Sequence, residues 1–306
     1  MSEVIKPKRE LKCEPRIDGF TLSFYSMASL CEILIDTDDK QLAMKMGNIA
    51  ANEAWRIEDK YSRYDANSVC ARLNKQAGHV CDIDQETYDL LAFADKCYQM
   101  SDGLFDITSG VLRKAWQFDG SDNVPLASDI AKLMPLMGWQ HVELSHNSIK
   151  SQFRMAKGME IDLGGLGKEY AVDRALQLAM LACDCPMLIN FGGDLAVSKV
   201  KTNQQAWQVG IEHPSFSTDK TVIVSIKSGA IATSGDANRF LLKNGQRYSH
   251  ILNVKTGWPV ENPPNAITVA APQCIQAGFL ATLALLQGEN AEQFLAQQEI
   301  KHWSIR

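Results

Sequence analysis

The feature that most constrains this chain is the run Asp162-Leu-Gly-Gly-Leu-Gly-Lys168. A short apolar strand is predicted to end at Asp162 and a helix to begin near Gly167. Gly164, Gly165 and Gly167 between them permit a tight turn and close approach of backbone to a ligand. A helix start presents free N–H groups that favour an anion, and Lys168 adds a positive charge beside them. The run is neither a Rossmann G-x-G-x-x-G nor a P-loop, because Gly-Lys-Ser/Thr is missing. Taken alone, it reads equally well as a strand-to-helix turn with a solvated lysine.

The flanking sequence predicts the frame for this turn. Thr21 to Ile35 alternates partially and suggests a strand or hairpin. Leu42, Met46, Ile49, Ala50, Ala54, Ile57 and Tyr61 recur at helical spacing, and Gln85–Met100 carries a second helical stripe. Residues 101–126 are loop-rich, 129–137 suggest a short helix and 141–160 a hairpin. Strands are expected at 188–191, 195–200, 208–212, 222–226 and 266–271, with helices at 276–286 and 291–298 closing the chain. There is no strict βαβ rhythm, so the expected class is α+β with largely antiparallel sheets and packed helices. Residues 1–18 read as a charged, flexible leader and 19–306 as a single domain, although 45% hydrophobic residues would also serve two interlocked halves.

Composition removes several function classes. With 31 basic and 36 acidic residues there is no basic tract, which argues against nucleic acid as a partner. The longest apolar stretch, 277–286, is too short for a bilayer, and the N-terminus shows no secretory pattern. A cytoplasmic protein with its eight cysteines reduced is expected. Cys183-x-Cys185 lacks zinc-ligand spacing.

Other Gly- and Asp-bearing segments recur: Gly103-Leu-Phe-Asp106-Ile-Thr108, Asn190-Phe-Gly-Gly-Asp194, Thr233-Ser-Gly-Asp236 and Tyr248-Ser-His250-Ile-Leu252-Asn253. Each alone is most often a turn. Together they suggest one ligand site built from many loops. Their order and spacing, with Tyr25-Ser-Met27 and Tyr64-Asp-Ala-Asn-Ser68 ahead of them, resemble the ApbE family of FAD:protein FMN transferases from about residue 20 to 300.

The resemblance implies an ApbE-like (T-fold-like) α+β architecture. It also implies an activity: cleavage of the FAD diphosphate and attachment of FMN to a Thr or Ser of a target flavoprotein, releasing AMP. By matching position, Met27, Tyr64, Leu104, Phe105, Asp106, Asp162, Lys168 and Leu252 would contact FAD. His250 would lie near the transferring phosphate, where an imidazole can take the hydroxyl proton, or would be a loop histidine holding a carbonyl. Mg²⁺ would be held by the Gly165 and Ala281 carbonyls and the Thr282 hydroxyl.

One departure stands out. The family pattern Ala-Asp-x-x-Ala-Thr reads here Ala277-Gly278-Phe-Leu-Ala281-Thr282, so the metal-site aspartate is replaced by Gly278. The i, i+4 spacing would have put both oxygens on one helix face. Three consequences are open. Another carboxylate, Asp194 or Asp236, reaches the site; the diphosphate holds Mg²⁺ with weaker help; or the protein binds FAD to store, deliver or sense it. A pyrophosphatase releasing FMN and AMP is a further alternative.

Overall fold

The structure, a computed structural model, describes residues 9–211, 222–235 and 240–306. The described chain divides into two compact units interleaved along the sequence. The first comprises residues up to Asp59, then Gly167–Thr233 and Thr268–Gly278; the second comprises Lys60–Leu166, Ser234–Ile267 and Phe279–Arg306.

The first unit is built on an antiparallel sheet whose alternation is visible in its burial. In the strand Gly19–Ser26, Leu22, Phe24 and Ser26 face inward; in Ser29–Ile35, Cys31, Ile33 and Ile35 do. The register sets Leu22 opposite Ile33 and Phe24 opposite Cys31, and Met187–Phe191 continues with Ile189 opposite Ile33. Period-2 patterning therefore lines one face with apolar side chains. Asp194–Val197 pairs next, and its partner is the strand beginning at Gly229. A two-stranded ribbon joins Trp207–Ile211 to Val222–Ile226.

The helix Lys40–Tyr61 starts under an Asp39 cap, whose Oδ1 accepts from the N–H groups of Gln41 and Leu42 at 2.8 and 3.1 Å. Its buried stripe is rich in small residues: Ala43, Ala50, Ala51 and Ala54. At Gly47 a Cβ would stand 2.3 Å from Leu22 Cδ2, so the helix reaches the sheet only because the side chain is absent there. Trp55 crosses edge-on to Phe24 at 5.4 Å and donates its indole N–H to the Tyr25 carbonyl. Burial of a side chain such as Phe24 contributes about 1.5–3 kcal/mol.

The second unit holds the helices Val69–Lys75 and Gln85–Met100, N-capped by Ser68 and Asp84. The hairpin expected at 141–160 is Val142–His146 with Ser151–Met155, and Cys81–Ile83 adds a third antiparallel strand. A 3-10 helix, Ile107–Lys114, delivers Val111 and Leu112 to a cluster with Trp116, Ile130, Met137 and Leu241. Trp116 donates its indole N–H to the Gly257 carbonyl at 2.9 Å.

Three expectations are corrected. Lys12–Arg16, inside the expected leader, is a strand paired with Gly19–Ser23, while residues 1–8 lie outside the described residues. No strand ends at Asp162: the backbone of Ile161 is satisfied at both N–H and C=O by the Asn74 side-chain amide, so no neighbouring strand is needed. The chain closes with the strand His302–Ile305 after its last helix, Ala291–Gln297. The eight cysteines are free thiols. Among the described residues no helix is long and apolar enough to cross a membrane.

Candidate functional site

Within the second unit, several of the anticipated residues meet around Arg63, which the sequence did not single out. Its guanidinium makes an ion pair with Asp162, donates to the Tyr64 hydroxyl at 2.7 Å and lies 4.8 Å from the Tyr64 ring centroid. The pair holds the Arg63 guanidinium above its usual range: burial opposes this, but the Asp162 charge and the Tyr64 contact prevail. Tyr64 is 70% exposed, which leaves a ring face available for stacking. Asp162 also accepts from the Gly164 N–H at 2.9 Å, and its own N–H donates to the Ile107 carbonyl at 2.8 Å. A Cβ on Gly110 would stand 2.9 Å from Asp162 Cβ, so glycine there permits the two segments to touch.

The loop Gly103–Thr108 is thereby fixed against Asp162. Asp106 is buried, and its carboxylate accepts from the Thr108 N–H and hydroxyl at 2.8 and 2.7 Å and from the Trp139 N–H at 3.1 Å. Burial pushes its pKa up, against those three bonds. The hydrogen bonds of Asp106 come from its own fold, where it caps the 3-10 helix. Phe105 is buried edge-on to Phe279 at 5.3 Å, with Gly165 beside its ring, while Leu104 is half-buried. Thr282 donates from Oγ1 to Ser234 at 3.1 Å, and Ala281 is buried. Leu252 sits in the two-residue ribbon with Trp258–Pro259, and His250 lies half-buried near Phe118, ring centroids 6.2 Å apart.

Within the first unit, the hairpin turn at Met27 has positive φ at Met27 and Ala28, and Glu58 accepts the Met27 N–H at 2.7 Å. Gly192, with φ of +62°, packs so closely on Ser29 that a Cβ would lie 2.6 Å from its side chain. Lys168 heads the helix Gly167–Ala182 and pairs with Asp194 at 2.8 Å; Asp194 also accepts from the Thr233 N–H at 3.1 Å. Burial lowers the Lys168 pKa, but the Asp194 charge and hydrogen bond outweigh it and leave it raised. Asp173, farther along the helix, accepts from the N–H groups of Cys274 and Ile275 at 2.8 and 2.9 Å and so caps Cys274–Leu286.

Next to Lys168 stands Glu169, just past the run that the sequence singled out. It is 8% exposed, and its Oε2 has no hydrogen-bond partner. Burial pushes its pKa up to about 8. A Cβ built on Gly278 would lie 2.6 Å from Glu169 Cγ and 2.8 Å from Oε1. Asp194, one carboxylate suggested as a substitute at the metal, is occupied by Lys168 and Thr233. The other, Asp236, lies outside the described residues. Among the described residues no group of three or more His, Cys, Asp or Glu side chains is assembled as a metal cage.

The second unit thus carries a glycine turn beside the Arg63–Asp162 pair, and the first unit carries glycine turns beside the Lys168–Asp194 pair. The ApbE family model matches residues 27–303, and the chain belongs to that family. An FAD:protein FMN transferase of Chlamydia pneumoniae is 28% identical over 254 residues, covering 81% of this chain and 76% of its own length. One from Klebsiella pneumoniae is 28% identical over 269 residues, covering 86% and 81%. Among solved structures, the ApbE protein of Thermotoga maritima superposes with a TM-score of 0.83 at 26% identity, covering 93% of each chain. The Pseudomonas stutzeri flavinyl transferase ApbE shares the fold, with a TM-score of 0.75 at 24% identity over 98% of this chain and 92% of its own.

Proposed function

We propose that this protein is an FAD:protein FMN transferase. It binds FAD, cleaves the diphosphate and joins FMN through a phosphoester to a Thr or Ser of a target flavoprotein. The observation that carries this is the Tyr64–Arg63–Asp162 arrangement, tied through the Asp162 N–H to the Gly103–Thr108 segment. A stacking ring, a fixed cation and a carboxylate gathered on glycine-rich backbone suit a flavin dinucleotide. Met27, Leu104, Phe105 and Leu252 supply apolar contact, and Lys168 supplies positive charge. Asp106 acts by holding its loop through Thr108 and Trp139.

In the transfer, the acceptor oxygen bonds to the FMN phosphorus while the bond to the AMP oxygen breaks and AMP leaves with the electron pair. His250 takes the proton of the acceptor hydroxyl. When bound, Mg²⁺ neutralises charge on the phosphate oxygens. The Gly165 and Ala281 carbonyls and the Thr282 hydroxyl would hold it, and a buried carboxylate oxygen without a partner suits the same kind of cation. Free thiols favour a reducing compartment, so we place the reaction in the cytoplasm, on a cytoplasmic flavoprotein.

The test incubates the protein with FAD, Mg²⁺ and a target carrying the acceptor threonine, read by intact mass. A gain of one FMN on the target, lost in His250→Ala with FAD affinity retained, is expected. Free FMN without that gain would make the protein a pyrophosphatase. The second reading, a non-transferring FAD binder, is favoured by Gly278 at the usual aspartate position; bound FAD with neither product would select it.

A further inference from the structure

We propose that Glu169 supplies the carboxylate ligand to the divalent cation in place of the aspartate that Gly278 replaces. This rests on the functional reading above and names the carboxylate that would serve its metal.

The first argument is space. A Cβ at position 278 would stand 2.6 Å from Glu169 Cγ, 2.9 Å from Cδ and 2.8 Å from Oε1. Glu169 therefore fills the volume that a side chain on position 278 would need. A side chain at 278 and the Glu169 side chain as it stands cannot share that space, so the Glu169 carboxylate lies where a side chain on residue 278 would begin.

The second argument is charge. Lys168 is committed to Asp194 at 2.8 Å, and the other Asp194 oxygen accepts the Thr233 N–H. That leaves Glu169 buried to 8% exposure with Oε2 unpartnered. A buried carboxylate without a partner is costly in any fold. A divalent cation removes that cost, because it offers an oxygen-seeking charge to the orphan atom. The third argument is coordination chemistry. Mg²⁺ is ordinarily held by one or two carboxylates together with substrate phosphates and water, with no all-protein cage. A single buried glutamate with an unpartnered oxygen suits it.

The test measures Mn²⁺ binding by loss of the free-ion electron paramagnetic resonance signal, on the full chain with saturating FAD. FAD affinity is measured separately in EDTA by flavin fluorescence. Glu169→Gln should weaken Mn²⁺ at least about ten-fold while leaving FAD affinity in EDTA within about two-fold. The double variant Glu169→Ala with Gly278→Asp, which returns a carboxylate to the other helix, should bind Mn²⁺ again. Wild-type Mn²⁺ affinity in a folded Glu169→Gln protein overturns the proposal. If that variant does not fold, the double variant decides: folded and FAD-bound without Mn²⁺ affinity, it overturns the proposal equally. Failure of the wild type to bind FAD in EDTA would instead overturn the functional reading.

Discussion

Asp162 and Glu169 lie on one short stretch of chain, yet their surroundings are opposite. Asp162, in the second unit, has a guanidinium, a backbone N–H and partial exposure to share its charge. Glu169, in the first, is buried beside an ion pair that is already complete, with one oxygen unpartnered. The first arrangement has a partner for its charge within its own unit. The second leaves one oxygen without a partner. A satisfied network positions, whereas an unsatisfied buried carboxyl group marks a candidate place for a ligand.

The comparison breaks most readily at Lys168. Lys168→Ala strips Asp194, 2% exposed, of its counter-charge and leaves two buried carboxylates together. A loss of about 3–5 kcal/mol is expected in urea unfolding. A change below 1 kcal/mol would mean that Asp194 is held neutral and that the pair contributes little.

Next in size is Gly278→Asp. Without Glu169→Ala it forces two side chains into one volume, and overpacking of this kind costs about 1–3 kcal/mol. Added to Glu169→Ala, the same change should cost less, so a double-mutant cycle should show strong coupling. Additive effects would mean that the two side chains do not compete for space.

The pH dependence of the metal-free protein sharpens the contrast further. Glu169 has a folded pKa of about 8, above the ordinary 4.5, because burial disfavours its charged form. The folded state thus holds the proton more tightly than the unfolded state. Its contribution is fully present below about 4.5 and is lost as pH rises through about 8. In EDTA, wild-type stability should therefore fall relative to Glu169→Gln as pH is raised from 5 to 8.5. Parallel melting curves for the two proteins across that range would refute this.

The smallest stability effect belongs to Arg63→Ala. The pair with Asp162 is partly solvated, so unfolding should change by no more than about 1 kcal/mol. FAD affinity should nonetheless drop about ten-fold, because Tyr64 and Asp162 lose their common anchor and ordering them must then be supplied on binding. Unchanged FAD affinity would remove Arg63 from the site.

Much of this was legible beforehand, for identifiable reasons. Gln85–Met100 and Ala266–Ala271 were anticipated to the residue, because caps and apolar period act locally. The motif segments were found because glycine turns and their polar neighbours are read in order along the chain. What was missed depended on distant partners. Ile161 forms no strand because Asn74 satisfies it, and Lys12–Arg16 is ordered because Gly19–Ser23 accepts its backbone. Arg63 stood beside Tyr64 with nothing in its own segment to mark it.

The sequence by itself determined the family, most of the secondary-structure frame and a glycine at position 278 where the resemblance implies a carboxylate, since these follow from residue order and local backbone preference. Only the tertiary structure decided which carboxylate lies against that glycine. Glu169 gains meaning from helix packing that sets its side chain in the space left by Gly278 and from a Lys168–Asp194 pair that leaves it no partner. Volume and charge compensation act between positions far apart in the chain, and no local pattern records them.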